Sequence, residues 1–418
     1  MDQIMYDRPQ LSRRDFMLTI GGAVLGAAIG CRSGPGTSDL DAFITGMLEL
    51  DRAPGFAGAV VVGTRLQWSA GYGWADIGRE IAMSPDTLQN IGSVSKTVTA
   101  TAVMQLWEAE QLQLDDDVGL YLPYSVRNPR YADVPITFRQ LLTHRSSIKD
   151  GPAYGESYAC GDPLMTLGEW IEEYLKPGGV YYDPDENFHS WEPGTVDPPS
   201  SPRAYSNVAF GLLGVLVEHV SDRPFNEYCR ERIFAPLGMS DSGWFLAEID
   251  TGRHAVPYTL IPESFEIPEG ETIESFLPAD DAAEASLKPG SYFPHCLYSF
   301  FNYPDGLVRT SVNELSRFLR AYVNGGVFDG AQILKPATTR LMLSNDHYGR
   351  GLCWFTRRLS NGDLLWGHGG GDPGISTYMG FRQRDNVGVI MFYNFNDPGD
   401  GGEEILERLF AEGEQAAG

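Results

Sequence analysis

The sequence predicts an α/β (α+β) fold: one antiparallel sheet built from both chain ends, flanked by helices, with a mostly helical segment inserted between its halves. Three observations carry this expectation. Strand-like apolar runs lie near the start (Ala57 to Val62, Leu66 to Tyr72) and again near the end (Leu364-Leu365-Trp366, Ile375 to Phe381, Val387 to Tyr393). Helical periodicity fills the middle, at Thr97 to Glu110, Phe210 to Val220 and Leu315 to Val323. Amphipathic helices bracket the strands: Leu40, Phe43, Ile44, Met47 and Leu48 share one face, and Ile405, Leu406, Leu409 and Phe410 another.

Bulk properties narrow the function classes. The 418 residues suit one large unit or two closely joined ones. At 42% hydrophobic and 21% charged the composition is that of a globular protein. A formal charge of −25 repels phosphate backbones and anionic lipid headgroups, so nucleic acid is excluded as a partner. Cys160, Cys229, Cys296 and Cys353 form no C-x-x-C pair, and His144, His189, His219, His254, His295 and His347 show no ligand spacing. No metal or organic cofactor is implied, and the histidines read as structural. The cysteines are expected as buried thiols, with one or two bridges open to them in an oxidising compartment.

Along the chain, the amino terminus reads as an address. Arg13-Arg14 precedes fourteen apolar, Gly- and Ala-rich residues, Met17 to Gly30, too few for a comfortable permanent span of about 20. This matches a twin-arginine export signal over residues 1–30, and Ala28-Ile29-Gly30-Cys31 matches a lipoprotein cleavage box. The expected location is therefore periplasmic or cell-surface, with membrane contact only through a lipid on Cys31; the plainer alternative is a cleaved signal followed by an incidental cysteine. A spacer, 31–38, leads into a sheet-and-helix part made of 39–92 and 345–413. Ser38 is the expected helix cap, and Gly63-Thr64 turns the first hairpin. The insert, 93–344, carries two stretches expected to be irregular, 150–202 and 248–305, as walls of a cleft against the sheet. Trp191, Tyr292, Phe293, Tyr298, Phe300 and Phe301 are candidates to line it, against the commoner fate of core burial.

Three motifs carry the chemistry. In Ser93-Val94-Ser95-Lys96 a hydroxyl and an amine stand one turn apart where a loop enters a helix. The helix N-terminus favours negative charge on the serine oxygen, and burial is expected to push the Lys96 amine down into a proton-accepting range. Taken alone, the same residues read as a helix cap beside a solvated lysine. Ser146-Ser147-Ile148-Lys149 repeats the spacing but runs into Asp150-Gly151-Pro152, without a following amphipathic helix. Tyr205-Ser206-Asn207 adds a phenol to relay protons and an amide to hold Lys96; Tyr322-Val323-Asn324 repeats it at a helix stop. Gly367-His368-Gly369-Gly370-Gly371 ends a strand with backbone N–H groups open to a substrate, and the N–H groups of Ser93 and Gly371 are the expected oxyanion hole. The plain alternative for the glycines is a tight turn.

With these residues in their order, the chain resembles the serine β-lactamase and penicillin-binding superfamily, in its class C-like branch of esterases, D-stereospecific peptidases and β-lactamases. Leu141-Leu142-Thr143-His144, Ile233 to Met239, Asp305-Gly306-Leu307-Val308 and Asn324-Gly325-Gly326 match recurrent stretches of that branch, and the likeness runs from about Ala57 to Asn394. The resemblance implies a β-lactamase/transpeptidase-like fold and an exported serine hydrolase acting on a small ester, amide or peptide. It assigns Ser93 as acylated nucleophile, Lys96 and Tyr205 as proton-transfer partners and Asn207 as polar support. One departure matters: His368-Gly369-Gly370 stands where β-lactamases carry Lys-Thr-Gly or Lys-Ser-Gly, so the groups that hold a substrate carboxylate are missing. Two rival readings stay open, a D-alanyl-D-alanine carboxypeptidase or β-lactamase, and a non-catalytic binder of cell-wall fragments.

Overall fold

The computed structural model describes residues 32–33, 38–195, 204–261, 263, 289–344, 349–396 and 398–418. The export signal, Cys31 and His347 lie outside these residues. In chain order the main elements are α1 (Ser38–Asp51), β1 (Gly55–Val62), β2 (Arg65–Asp76), α2 (Ser95–Glu108), α3 (Val208–Ser221), α4 (Val312–Val323), β3 (Phe355–Arg358), β4 (Leu364–Asp372), β5 (Ile375–Arg382), β6 (Val387–Tyr393) and α5 (Gly399–Ala417). α1 begins at Ser38 itself, so this residue opens the helix rather than preceding it.

The strands form one antiparallel sheet in the order Arg32–Ser33, β2, β1, β6, β5, β4, β3, with Ile81–Ala82 pairing off β2. The two chain ends meet where β1 pairs with β6, Val60 opposite Val389 and Ala59 opposite Ile390. Alternation along these strands divides the core in two. Phe56 and Val60 of β1 and Val387, Val389, Met391 and Tyr393 of β6 face Leu40, Ile44 and Leu48 of α1 and Ile405, Leu406, Leu409 and Phe410 of α5. Ala57, Ala59, Val61, Ile390 and Phe392 point the other way, into the larger core shared with α2, α3 and α4. The sheet is thus covered on both faces, as its nearly continuous apolar strands require. α4 lies directly on β1 and β6, although it belongs to the sequence-defined insert.

α3 is buried on all sides from Val208 to Val217, the signature of a central helix. It packs against α2, and Gly214 lets the Pro304 turn approach, since a Cβ there would stand 2.5 Å from the proline ring. One expectation is corrected here. Within 150–202, expected to be irregular, Leu167–Leu175 forms a helix with a capping box between Thr166 and Glu169, its buried face being Leu167, Trp170, Ile171, Tyr174 and Leu175. A nine-residue helix shows only about two and a half turns of periodicity, too short to stand out in a polar stretch.

Candidate active site

Ser93 occupies a tight helical turn, Gly92–Val94, that runs straight into α2. From Ile91 to Ala100 every residue except Ser93 is buried. No side-chain cap is made at this helix start, and the Lys96 side chain is 0% exposed, so the cap-and-solvated-lysine alternative does not describe this turn. The Lys96 ammonium donates to Ser93 Oγ at 3.1 Å, Asn207 Oδ1 at 2.6 Å, the Asp305 carbonyl at 2.8 Å and Asp305 Oδ2 at 3.3 Å. Four acceptors surround a group with three donors.

That environment reverses one sequence expectation. Burial alone would push Lys96 down, but attraction from Tyr205 and Asp305 outweighs it and its pKa lies above the ordinary value. The bonds to Asn207 Oδ1 and to the Asp305 carboxylate suit the ammonium form. Asp305, itself raised by burial, is held on both oxygens: Asn302 Nδ2 donates to Oδ1 at 2.8 Å and Tyr154 OH to Oδ2 at 3.0 Å.

Tyr205 lies just before α3, its ring centroid 5.0 Å from Lys96 Nζ. Its hydroxyl is buried and lies near Ser93 and Lys96, but closes no hydrogen bond of good geometry among the described residues. Burial raises the phenol to about 12, while the Lys96 charge and the nearby Ser93 pull in the opposite direction. His144 stacks on the tyrosine ring at 4.1 Å, and its Nδ1 accepts the Ser206 backbone N–H at 3.2 Å. Burial and the Lys96 charge hold its pKa well below the usual imidazole value, so it supports Tyr205 as a neutral ring.

Asn207 is oriented by Asp150. The Asp150 carboxylate accepts the backbone N–H groups of Asn207 at 2.9 Å and Val208 at 3.0 Å, and Asn207 Nδ2 at 2.9 Å. It thereby satisfies orphan donors at the start of α3 and turns Asn207 Oδ1 toward Lys96. Burial raises Asp150 to about 6 against those hydrogen bonds.

The glycine motif is not a turn: Gly367 to Gly371 lie inside β4, paired with β5, and the chain reverses only at Pro373-Gly374. β3 pairs β4 only from Leu364 to Gly367, which among the described residues leaves the outer edge from His368 onward without a strand partner. The Gly92–Ser93 turn lies against this edge. A Cβ on Gly370 would sit 2.2 Å from the Ile91 carbonyl and 3.1 Å from Ser93 N, and one on Gly92 (φ +50°) 2.9 Å from Gly371 N. Glycine at both positions brings the N–H groups of residues 93 and 371 together. Gly369 and Gly371 are exposed and His368 is buried at 4%. His368 lies between Phe355 (5.2 Å) and Tyr205 (6.4 Å), with Nδ1 on the Gly369 carbonyl and Nε2 unpartnered. Burial, then the Lys96 charge, lowers it to about 3.

The other candidates fall elsewhere. Lys149 of the repeated motif pairs with Glu186 at the surface, and Ser147 accepts from Asn128. Tyr322 bonds Thr101 deep in the core. Phe300 is buried and lies against Tyr158, beside the site; Phe293 and Tyr298 are buried as well, and Trp191 and Tyr292 are partly buried away from Ser93. Asp150, Asp305, Tyr154, Tyr158 and Asp372 were not singled out from sequence. Asp305 stood inside a quoted stretch, and Asp372 directly follows the glycines, a signal that was there to be used. Of the bridges left open to the cysteines, Cys160 and Cys296 form one, whereas Cys229 and Cys353 are the buried thiols expected. Among the described residues no three His, Cys, Asp or Glu side chains gather as metal ligands.

The Beta-lactamase family profile matches residues 40–412. The chain belongs to the beta-lactamase family. Among its relatives, Protein flp of Staphylococcus aureus (strain MRSA252) is 22% identical over 363 residues, 85% of this chain and 62% of that protein. The chain thus spans less than two thirds of the length of that relative. The putative penicillin-binding protein PbpX of Bacillus subtilis (strain 168) is 24% identical over 82% of this chain and 72% of its own length. The same family fold recurs in an octameric penicillin-binding protein homologue from Pyrococcus abyssi (TM-score 0.64, 23% identity, 89% of this chain and 77% of that one). It recurs again in the D-amino acid amidase of Ochrobactrum anthropi SV3 (TM-score 0.64, 21% identity, 91% and 100%).

Proposed function

We propose that the protein is an exported serine hydrolase that cleaves a small ester or amide through an acyl-enzyme on Ser93. Membership of the beta-lactamase family supports hydrolase chemistry at a coarse level. The observation that carries the finer reading is the Lys96 ammonium bonded to Ser93 Oγ, under a phenol with an unpartnered hydroxyl and beside an open glycine edge.

In this reading Tyr205, as the phenolate stabilised by Lys96, takes the Ser93 proton while Oγ attacks the substrate carbonyl carbon. The carbonyl oxygen becomes an oxyanion between the N–H groups of Ser93 and Gly371. Tyr205 then passes its proton to the departing alkoxide or amine, leaving an ester on Ser93. A water gives one proton to Tyr205 and attacks the ester carbonyl; the bond from that carbon to Ser93 Oγ then breaks, the carboxylic acid leaves, and Tyr205 returns the proton to Oγ. Lys96 stays charged throughout, fixed by Asn207 and Asp305.

Labelling with a fluorophosphonate, followed by peptide mapping, tests this: the adduct falls on Ser93 and vanishes in Ser93→Ala together with turnover of p-nitrophenyl esters. An adduct on Ser146, or none, overturns it. Turnover of a chromogenic cephalosporin at a rate rivalling simple esters would favour the β-lactamase alternative, and binding of cell-wall fragments without turnover the binder.

For location, the Arg13-Arg14 signal and the Cys160–Cys296 bridge both support an oxidising compartment outside the cytoplasm. Expression of the full chain with and without a twin-arginine translocase tests export, and loss of membrane association in Cys31→Ala tests lipidation. Accumulation in the cytoplasmic fraction in both strains counts against export.

A further inference from the structure

Asp372 stands on β4 immediately after Gly371, and the proposed reaction gives its carboxylate no part. β4 places His368, Gly370 and Asp372 on the face turned to the helical layer, so His368 and Asp372 flank the oxyanion edge about 13 Å apart. The two ends differ. His368 lies toward Tyr205, which delivers a proton to the leaving group, so the leaving group belongs at that end. Asp372 lies beyond Gly371 at the other end, where the acyl portion must extend.

The chemistry of the two ends is complementary. At the leaving-group end, buried His368 offers an uncharged ring with its Nε2 unpartnered, an acceptor for an N–H or O–H and no cation for a carboxylate. At the acyl end, Asp372 is partly exposed. Its Oδ1 accepts the Tyr158 hydroxyl at 2.7 Å, and its Oδ2 lies over Gly306, where a Cβ would come within 3.4 Å. Tyr158 lies against Phe300 at 4.5 Å, the rings tilted by 30°, and meets Tyr154 edge-on at 6.1 Å, giving an aromatic wall beside the carboxylate. The fixed cations that act on Asp372 are committed elsewhere: Lys96 to four acceptors, and Arg309 to the Trp244 and Tyr298 carbonyls and Ser299 Oγ. Burial raises Asp372 to about 7 against its hydrogen bonds from Tyr158 and Asn90, and an ammonium group beside it would hold the charged form by ion pairing.

We propose that Asp372, with Tyr158, is a specificity determinant that selects acyl donors bearing a free ammonium group next to the scissile carbonyl, as in an amino-acid ester, an amino-acid amide or a peptide with a free N-terminus. This rests on the Ser93 reading and names its substrate class.

The test compares alanine and phenylalanine p-nitroanilides and p-nitrophenyl esters, D and L, each with a free amine and as the N-acetyl derivative. The wild type should favour the free amine in kcat/KM by at least about tenfold, the scale of one charge-assisted hydrogen bond. In Asp372→Asn that ratio should fall toward one, mainly through KM, whereas Asp372→Glu should keep it above one. A wild type that prefers the acetylated substrates, or a ratio that Asp372→Asn leaves untouched, overturns the proposal. Fluorophosphonate labelling of Ser93 and turnover of p-nitrophenyl acetate separate the two failures. With both retained and no amine preference, only the Asp372 assignment is lost; with both absent, the Ser93 reading fails and takes this one with it.

Discussion

Three side chains decide the protonation state of the site: Lys96, Tyr205 and Asp305. A lysine with 0% exposure normally loses its proton, yet here a carboxylate 3.3 Å away and a short bond to Asn207 keep the charge. The cost of burying the ammonium is offset only because every donor has a partner. In the proposed reaction the base is Tyr205, whose phenol is raised to about 12 by burial. Below that value the phenolate is the minor form and its share grows tenfold per pH unit. We therefore expect log kcat/KM on an uncharged ester to rise across pH 6 to 9; a flat profile there would remove Tyr205 as the base. Asp305→Asn should lower kcat/KM and move this rise toward higher pH, because Lys96 then gives up its proton more readily and the phenolate loses its stabilising cation. The same substitution should destabilise the fold, by about 3–5 kcal/mol if the buried charge is left wholly uncompensated. Together, the pH–rate profile and a denaturant titration separate the electrostatic role from a merely structural one.

Elements matter here through their ends. The turn into α2 presents Ser93, the start of α3 presents Tyr205 and Asn207, and the unpaired stretch of β4 presents Gly371. Asp150 joins two of these scales: it caps α3 and in doing so aims Asn207. The contact between β4 and the Gly92 turn is the most sensitive to a single methyl. In Gly370→Ala the new Cβ would meet the Ile91 carbonyl at 2.2 Å and Thr377 Oγ1 at 2.3 Å, so the strand must move off the turn. Loss of one oxyanion donor costs about 10²–10³ in turnover, and we expect a loss of that size in ester hydrolysis. Far-ultraviolet circular dichroism should stay near wild type, and unchanged kcat would show that the edge does not hold the oxyanion.

At the scale of the molecule, the site lies where the helical layer meets one edge of a sheet built from both chain ends, and a disulfide reinforces its wall. Cys160 and Cys296 are 136 residues apart and join the Ala159–Cys160 segment, which follows Tyr154 and Tyr158, to the segment leading to Phe300 and Asp305. Closing a loop of that size constrains the unfolded chain by about 4–5 kcal/mol in the chain-entropy limit. Reduction, or Cys160→Ser, should therefore lower Tm by several degrees. Limited proteolysis should then cut first between residues 150 and 165, and a thermal melt with and without reductant measures the first effect. An unchanged Tm would mean that the wall is held by its aromatic contacts alone.

The sequence by itself determined the strands, their pairing at the chain ends and the main helices, and it marked residues 93, 96, 205, 207 and 371, which the structure brings together, because periodicity and motif spacing are local properties that one stretch of chain carries whole. Val387–Tyr393 falls where its apolar run predicts, and β1 and β5 differ from expectation only at their ends. The tertiary structure alone decided the charge of Lys96, the roles of Asp150 and Asp305, the support of Tyr205 by His144 and the Cys160–Cys296 pairing. Each of these depends on groups far apart in the chain, Lys96 and Asp305 being 209 positions from one another. Electrostatics and burial depend on distance in space, and that distance is set only once the layers have packed.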